Sequence, residues 1–362
     1  MMPWLGEKFG NPSSIHAFGQ QAREAVEAAR EQVAQLLGVA PPEIVFASSG
    51  TEANYTALQT CCQRKPTPGH LVVSAVEHPS VEKPVKALAE AGWRVSWIEP
   101  DHQGRTDAAS ITAAIESDTR AVCLVLANNV VGTIQPVAEV ASFCRQAEVP
   151  LLCDAVQAIG KIEVHGRDLG VDYLTLGAHK FYGPLGAAAL WIRQGSPLIP
   201  LLLGGSQERQ RRAGTQNVPA IVGLGRAAEL ARLELGERRE HLLGLRRRFE
   251  AGLESISDSV IHGRDAERLP NTTHVAFLGV DNQALLIRLD LAGFAVSAGS
   301  ACSSGTVEAS STLVAMGVSP EESGSAIRVS FGQGNQTAEV DAFLEVLAEQ
   351  VAELRRLAGT PS

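Results

Sequence analysis

The order of segments predicts an α/β protein, with a seven-stranded, mainly parallel sheet in a large domain and a smaller α+β domain after it. Three observations carry this reading. Seven short β-branched runs recur between stretches with helical spacing, and the pattern changes near Gln216. The chain is also long enough for two cored domains: its 362 residues are 45 % apolar and 20 % charged, which excludes a disordered or low-complexity chain.

The first strand is read at Glu43–Phe46, behind a stretch in which Val26, Ala29, Val33 and Leu36 share a helical face. Further strands are read at Leu71–Ser74, Arg94–Trp97, Ala121–Leu126, Pro150–Cys153, Asp172–Thr175 and Ala187–Ile192. Helical stretches between most of them imply βαβ crossovers, parallel pairing and ligands at the strands' carboxyl ends. From about Gln216 a long helical stretch runs through Arg248, with Arg246–Arg248 read as a solvated face. Strands at Thr273–Phe277, Phe294–Ser297 and Ile327–Ser330 and a helix from Ala338 to Leu357 complete the second domain. The domains are set at residues 1–235 and 236–362.

Lys and Arg total 31 against 40 Asp and Glu, a net charge of −9, so nucleic acid is not an expected partner. The first residues carry no basic region followed by an apolar one, and no stretch is apolar enough to span a membrane. Six cysteines without a C-x-x-C pair argue against a disulfide scaffold or zinc, and a reducing cytoplasm is expected.

Ser48–Asn54 follows the first strand and opens a helix, where Gly50 permits a tight turn and the Thr51 hydroxyl with nearby N–H groups suits a phosphate. Simple N-capping is the alternative. Asp154 ends an apolar run and needs a partner, either an arginine or cap, or the protonated ring nitrogen of a heterocycle. Lys180, in Gly177–Pro184, ends the next strand and falls on the same sheet edge. A phosphate loop, a buried Asp and a Lys together specify pyridoxal phosphate, with Lys180 forming its Schiff base. His78, just past the second strand, either stacks on a planar ring or is a loop histidine. Asn128, Asn129 and Gln157 either reach the ring hydroxyl or are turn residues. Cys302 lies in the small-residue loop Ser297–Gly305, unlike the other five cysteines on apolar segments, and is the nucleophile candidate. Arg328, in an apolar strand, holds either a substrate carboxylate or an internal ion pair.

These segments resemble the cysteine desulfurases of the NifS/IscS kind, pyridoxal-phosphate enzymes of the aspartate-aminotransferase fold (type I). The likeness runs from Phe9-Gly10-Asn11-Pro12 almost to the C-terminus, with Glu77-His78, Asp154-x-x-Gln157, His179-Lys180 and the Cys302 loop in the family's order. The resemblance implies conversion of L-cysteine to L-alanine with the sulfur left as a persulfide on Cys302. It makes Lys180 the cofactor lysine and proton carrier, Asp154 the pyridinium partner, and His78 the stacking residue. Asn129 and Gln157 contact the ring's oxygen side, while Gly50, Thr51 and His179 line the phosphate. Thr215 reaches a neighbouring subunit's phosphate, which implies a homodimer, and Arg328 holds the substrate carboxylate, with Asn129 beside it. A sulfur-accepting protein such as an iron-sulfur scaffold is the implied partner.

Some departures shape the expectations. The family's usual first segment, which lines the substrate pocket, is absent before Met1, and the true start is expected upstream. Gly177 stands where a phosphate-binding Ser is usual, and Val130 where Glu is common, so weaker phosphate binding is expected. The chain ends at Ser362 without the tail that some relatives use to dock a scaffold. A selenocysteine lyase or class V aminotransferase, and a truncated, silent homologue, are the alternatives.

Overall fold

The computed structural model describes residues 1–65, 67–299 and 310–359, which fall into two compact units. The first comprises Met1–Ile98, Asp107–Leu126 and Pro136–Leu235. Its strands are β1 (Ile44–Ala47), β2 (His70–Ser74), β3 (Arg94–Ile98), β4 (Thr119–Cys123), β5 (Leu151–Asp154), β6 (Tyr173–Gly177) and β7 (Ala188–Ile192). They form one sheet in the order β1-β7-β6-β5-β4-β2-β3. Pairing is parallel from β3 through β6, and antiparallel on both sides of β7. The reversal follows from chain length: residues 178–187 are too few for a helical crossover, so β7 returns antiparallel beside β6.

Burial explains why these strands read as unbroken apolar runs. Every residue of β2, β6 and β7 is buried, because both faces of the sheet are covered, whereas the edge strand β3 is partly exposed throughout. The helix Ala17–Leu37 starts where His16 Nδ1 accepts from Gly19 N and stops at Gly38, whose φ of +65° favours a residue without a Cβ. It packs against the helix Val218–Leu233 so closely that a Cβ at Gly225 would lie 2.6 Å from Ala29 Cα. Arg30 on the first of these helices donates to Glu208 (2.7 Å) and to the Ile44 carbonyl (2.9 Å), while Glu208 also accepts from Phe46 N at 3.0 Å. This buried pair ties β1 to the segment around residue 208.

The second unit gathers Glu99–Thr106, Ala127–Gln135 and the chain from Gly236 on. Its sheet has the order β10-β9-β8, with β8 (Ser259–His262), β9 (Thr272–Phe277) and β10 (Ala326–Ser330) all antiparallel. The helices Leu235–Gly252, Asn282–Leu291 and Thr337–Ala358 join Val275, Phe277, Ile327 and Val329 in one apolar core.

Two expectations are corrected here. Phe294–Ser297 is not a ladder strand, since only Ser297 forms a bridge, to Arg328; the sheet's third strand is β8, whose Ser and His hid it among loop residues. Arg246 is not solvated either: its side chain is 13 % exposed and donates to the Leu269 carbonyl at 2.5 Å, whereas Arg248 is exposed and paired with Asp341. No helix among the described residues is long and apolar enough to cross a membrane.

Candidate active site

The carboxyl ends of β1, β2, β5 and β6 lie on one edge of the large sheet, because β1 is antiparallel to β7 and β7 to β6. That edge collects Gly50 and Thr51 after β1, His78 after β2, Asp154 at the end of β5, and His179 and Lys180 after β6.

Asp154 is 4 % exposed. Its Oδ2 accepts from Asn54 Nδ2 at 2.7 Å and its Oδ1 from Val156 N at 2.9 Å, so neutral donors orient the carboxylate. The Asn54 amide also donates to Ser80 Oγ (2.9 Å), and its Oδ1 accepts from Thr175 Oγ1 (2.6 Å). Ser80 Oγ in turn lies 2.8 Å from His78 Nδ1, which also accepts from Ser80 N and caps the helix Pro79–Glu90. The Ser80 N–H therefore fixes Nδ1 as an acceptor and leaves the ring proton on Nε2.

His78 is the meeting point of the charges on this edge. Burial lowers its pKa, the Asp154 carboxylate raises it and the Lys180 ammonium lowers it. Lys180 and His179 sit on the one-turn helix Ala178–Phe181, and burial followed by Lys180 and Lys161 lowers the His179 pKa. Gln157 is occupied by Lys161, whose Nζ donates to its carbonyl at 2.7 Å and its Oε1 at 3.2 Å.

At the start of the helix Gly50–Gln63 the capping hydroxyl is that of Ser49, which accepts from Glu52 N at 3.1 Å. The alternative of simple capping thus falls to Ser49 and leaves Gly50 and Thr51 at an open helix N-terminus. A Cβ at Gly50 would meet Val156 Cγ2 at 2.9 Å, so glycine lets this turn lie close against the second residue after Asp154. Arg212 pairs with Glu52 at 2.8 Å and brings the segment holding the exposed Thr215 to the same helix turn.

Asn129 and Arg328 belong to the second unit. Arg328 Nη1 donates to the carbonyls of Asn129 (2.7 Å) and Gly299 (3.1 Å), partners that neither reading of the sequence foresaw, and burial lowers its pKa. Cys302 lies outside the described residues. The other five cysteines are buried free thiols. Burial raises all their pKa values, that of Cys62 and that of Cys144 each to about 12, which makes them poor nucleophiles.

Sequence reasoning gave no role to Asn54, Ser80 or Glu77. Asn54 stands one helical turn after Gly50 in an otherwise apolar buried face, a placement that signals a required hydrogen-bond partner. Glu77 is 2 % exposed; its Oε1 accepts from Val125 N, and its Oε2 is buried without a partner.

The chain matches the class-V aminotransferase family over residues 1–343. It is 41 % identical to a cysteine desulfurase IscS of Dictyoglomus turgidum, covering 99 % of this chain and 91 % of that one. It is 42 % identical to a cysteine desulfurase of Gluconacetobacter diazotrophicus, covering 99 % and 90 %. Among solved structures, a NifS-like protein superposes with a TM-score of 0.91 at 37 % identity, covering 98 % of this chain and 94 % of that one. A NifS-like protein from Rickettsia africae superposes with a TM-score of 0.85 at 32 % identity, covering 94 % and 92 %.

Proposed function

This chain belongs to the class-V aminotransferase family and, within it, to the pyridoxal-phosphate-dependent cysteine desulfurases, and from that premise we propose that it converts L-cysteine to L-alanine using Lys180, Asp154, His78 and Cys302. The observation that carries the residue assignment is that Asp154 is linked through Asn54 and Ser80 to His78 at the sheet edge where the helix of Gly50 begins and where Lys180 follows β6.

The donor set fits the cofactor. Asp154, oriented by Asn54 and Val156, suits a ring nitrogen. The His78 ring is held by Ser80 in a fixed plane against which a pyridine can stack. Gly50 and Thr51 offer N–H groups to a phosphate where the helix dipole is positive, with His179 nearby on the same edge. Gln157 and Asn129 are assigned the ring's oxygen side. When bound, pyridoxal phosphate withdraws electrons from the substrate's Cα and Cβ and renders its sulfur electrophilic. Lys180 then moves the proton at Cα, and Arg328 holds the substrate carboxylate by its planar fork. The Cys302 thiolate attacks the substrate sulfur, and the new S–S bond forms as the substrate's C–S bond breaks. The electron pair of the broken bond stays with the substrate, whose β-carbon takes up the proton that the Cys302 thiol released, and a persulfide on the enzyme and alanine result.

A homodimer is part of this reading, with Thr215 serving the partner's phosphate. It is supported by large apolar side chains left exposed on the first unit, among them Phe9 (80 %), Ile15 (90 %), Leu185 (79 %) and Leu203 (85 %). An acceptor protein such as an iron-sulfur scaffold would receive the sulfur. The five free thiols support a reducing compartment such as the cytoplasm.

The test is incubation with L-cysteine, following alanine and enzyme-bound sulfur together. The reading requires both, with Cys302→Ser losing both and Lys180→Ala losing the cofactor's visible absorbance. Alanine without enzyme-bound sulfur overturns the role of Cys302. Transamination that survives Cys302→Ser identifies an aminotransferase instead, and absence of cofactor absorbance identifies a silent homologue.

A further inference from the structure

The register of the small sheet places His262 of β8, His274 of β9 and Arg328 of β10 side by side. Being level across the ladder, they share one face, while Val275, Phe277, Ile327 and Val329 of the alternate positions lie in the core on the other. The polar row is linked end to end. His262 Nε2 lies 2.9 Å from Glu322 Oε1, and His262 Nδ1 lies 2.9 Å from His274 Nδ1. The row ends at His274 Nε2, a fully buried nitrogen without a partner. It abuts Gly299, where a Cβ would come within 3.0 Å of it and where φ is +90°, so position 299 is glycine on two counts. The carbonyl of the same Gly299 accepts from Arg328 Nη1.

Two imidazole nitrogens facing each other at hydrogen-bond distance must share one proton, which leaves two arrangements. With both rings neutral, His262 donates Nε2–H to Glu322, His274 donates Nδ1–H to His262, and His274 Nε2 is a bare lone pair. If Nε2 takes up a proton, the Nδ1 proton of His274 passes to His262 Nδ1. His274 stays neutral with an N–H aimed at the Ala298–Gly299 backbone, and the positive charge rests on His262 beside the Glu322 carboxylate. The proton balance closes, and the charge is kept one strand further from Arg328.

We propose that Glu322, His262 and His274 form a proton relay that switches His274 Nε2 between acceptor and donor toward the Ala298–Gly299 peptide and so sets how firmly Gly299 holds Arg328. His274 is thus a positioning residue. The charged groups acting on the pair are Glu322 from the helix Pro320–Gly324 and Arg328 from β10. Burial lowers both imidazole pKa values; at His274 the neighbouring His262 and Arg328 lower it further while the Ala298 backbone opposes the shift, and at His262 Glu322 opposes it. The acceptor state therefore holds at neutral pH and the donor state on acidification. In the donor state the N–H draws the peptide toward His274 and away from Arg328. Glu322, with 26 % of its side chain exposed, gives the row its route to solvent.

The consequence for catalysis rests on the reading of Arg328 as the substrate-carboxylate residue, so the test has two arms. In the holoenzyme, nitrogen-15 NMR of the histidine rings, assigned with His274→Gln, should show His274 Nε2 changing from acceptor to donor as pH falls. Glu322→Gln, which removes the anion stabilising charged His262, should shift that change to lower pH. In the kinetic arm, KM for L-cysteine should rise about tenfold across the same interval with kcat nearly constant, the loss expected of one charge-assisted hydrogen bond. Glu322→Gln should move that rise in parallel. A His274 Nε2 that keeps one protonation state wherever the enzyme stays folded overturns the relay. A switch that leaves KM flat overturns the link to Arg328. A chain that makes no alanine defeats the functional reading, while the NMR arm still decides the relay.

Discussion

Asn54 and Asp154, 100 residues apart in sequence, meet in a 2.7 Å hydrogen bond that joins the helix Gly50–Gln63 to the end of β5. The same amide serves Ser80 and Thr175, so one side chain positions the carboxylate and, through Ser80, the His78 ring. Asn54→Ala leaves several buried polar groups without partners and should destabilise the protein by about 3 kcal/mol. Urea unfolding measures this, and a matched loss of cofactor affinity, read by titration of its visible absorbance, is expected alongside.

Glu77 sets a pH dependence of stability. Burial and the nearby Asp154 hold its pKa well above the usual carboxylate range, against a single opposing hydrogen bond from Val125 N. The folded state therefore keeps a proton that the unfolded chain releases near pH ~4.3, and stability declines from there upward, by at most about 1.4 kcal/mol per pH unit, until Glu77 ionises in the fold. Glu77→Gln abolishes that slope. It should match the wild type at pH 4 and exceed its denaturation midpoint at pH 8; equal midpoints at both would mean that Glu77 is already ionised.

The Arg30–Glu208 pair is buried on both sides, with 3 % and 1 % of the side chains exposed. Arg30→Met leaves the carboxylate facing a dry interior and the Ile44 carbonyl without one of its donors, at a cost of about 3–5 kcal/mol. Chemical denaturation should show the loss, and Arg30→Met with Glu208→Gln should recover part of it by removing the stranded charge.

Thiol reactivity separates the cysteines. Alkylation of the native holoenzyme at neutral pH should modify Cys302 within minutes and leave Cys61, Cys62, Cys123, Cys144 and Cys153 intact until denaturant is added, as their burial and raised pKa values require. Mass mapping of the labelled peptides reads the result directly.

Much of the large unit was legible because its strands are buried on both faces and so appear as continuous apolar runs between helical periods. β8 was not, since Ser259 and His262 in a four-residue strand carry no apolar signal. Phe294–Ser297 had the right residue types but no ladder partner beyond one bridge. Asp154 and Lys180 were visible as chemistry that an apolar strand end does not tolerate without cause. Asn54 signalled only a need for some partner, because its role depends on groups at positions 80, 154 and 175 that only the folded sheet brings together. Arg246 misled for a similar reason: a run of three arginines does not reveal which one faces a carbonyl.

The place of β7 in the sheet also dictates when the molecule can close. Among the described residues β1 has β7 as its sole neighbour in the ladder, with Ile44 opposite Trp191, so this strand waits for the last of the seven before it gains a hydrogen-bonded companion. Until then its amides stay open to water or to a chaperone. A nascent chain halted before Ala188 would carry β2 through β6 already able to pair, but an orphan at its front. Completion of this sheet is thereby timed by the emergence of a single short hairpin arm.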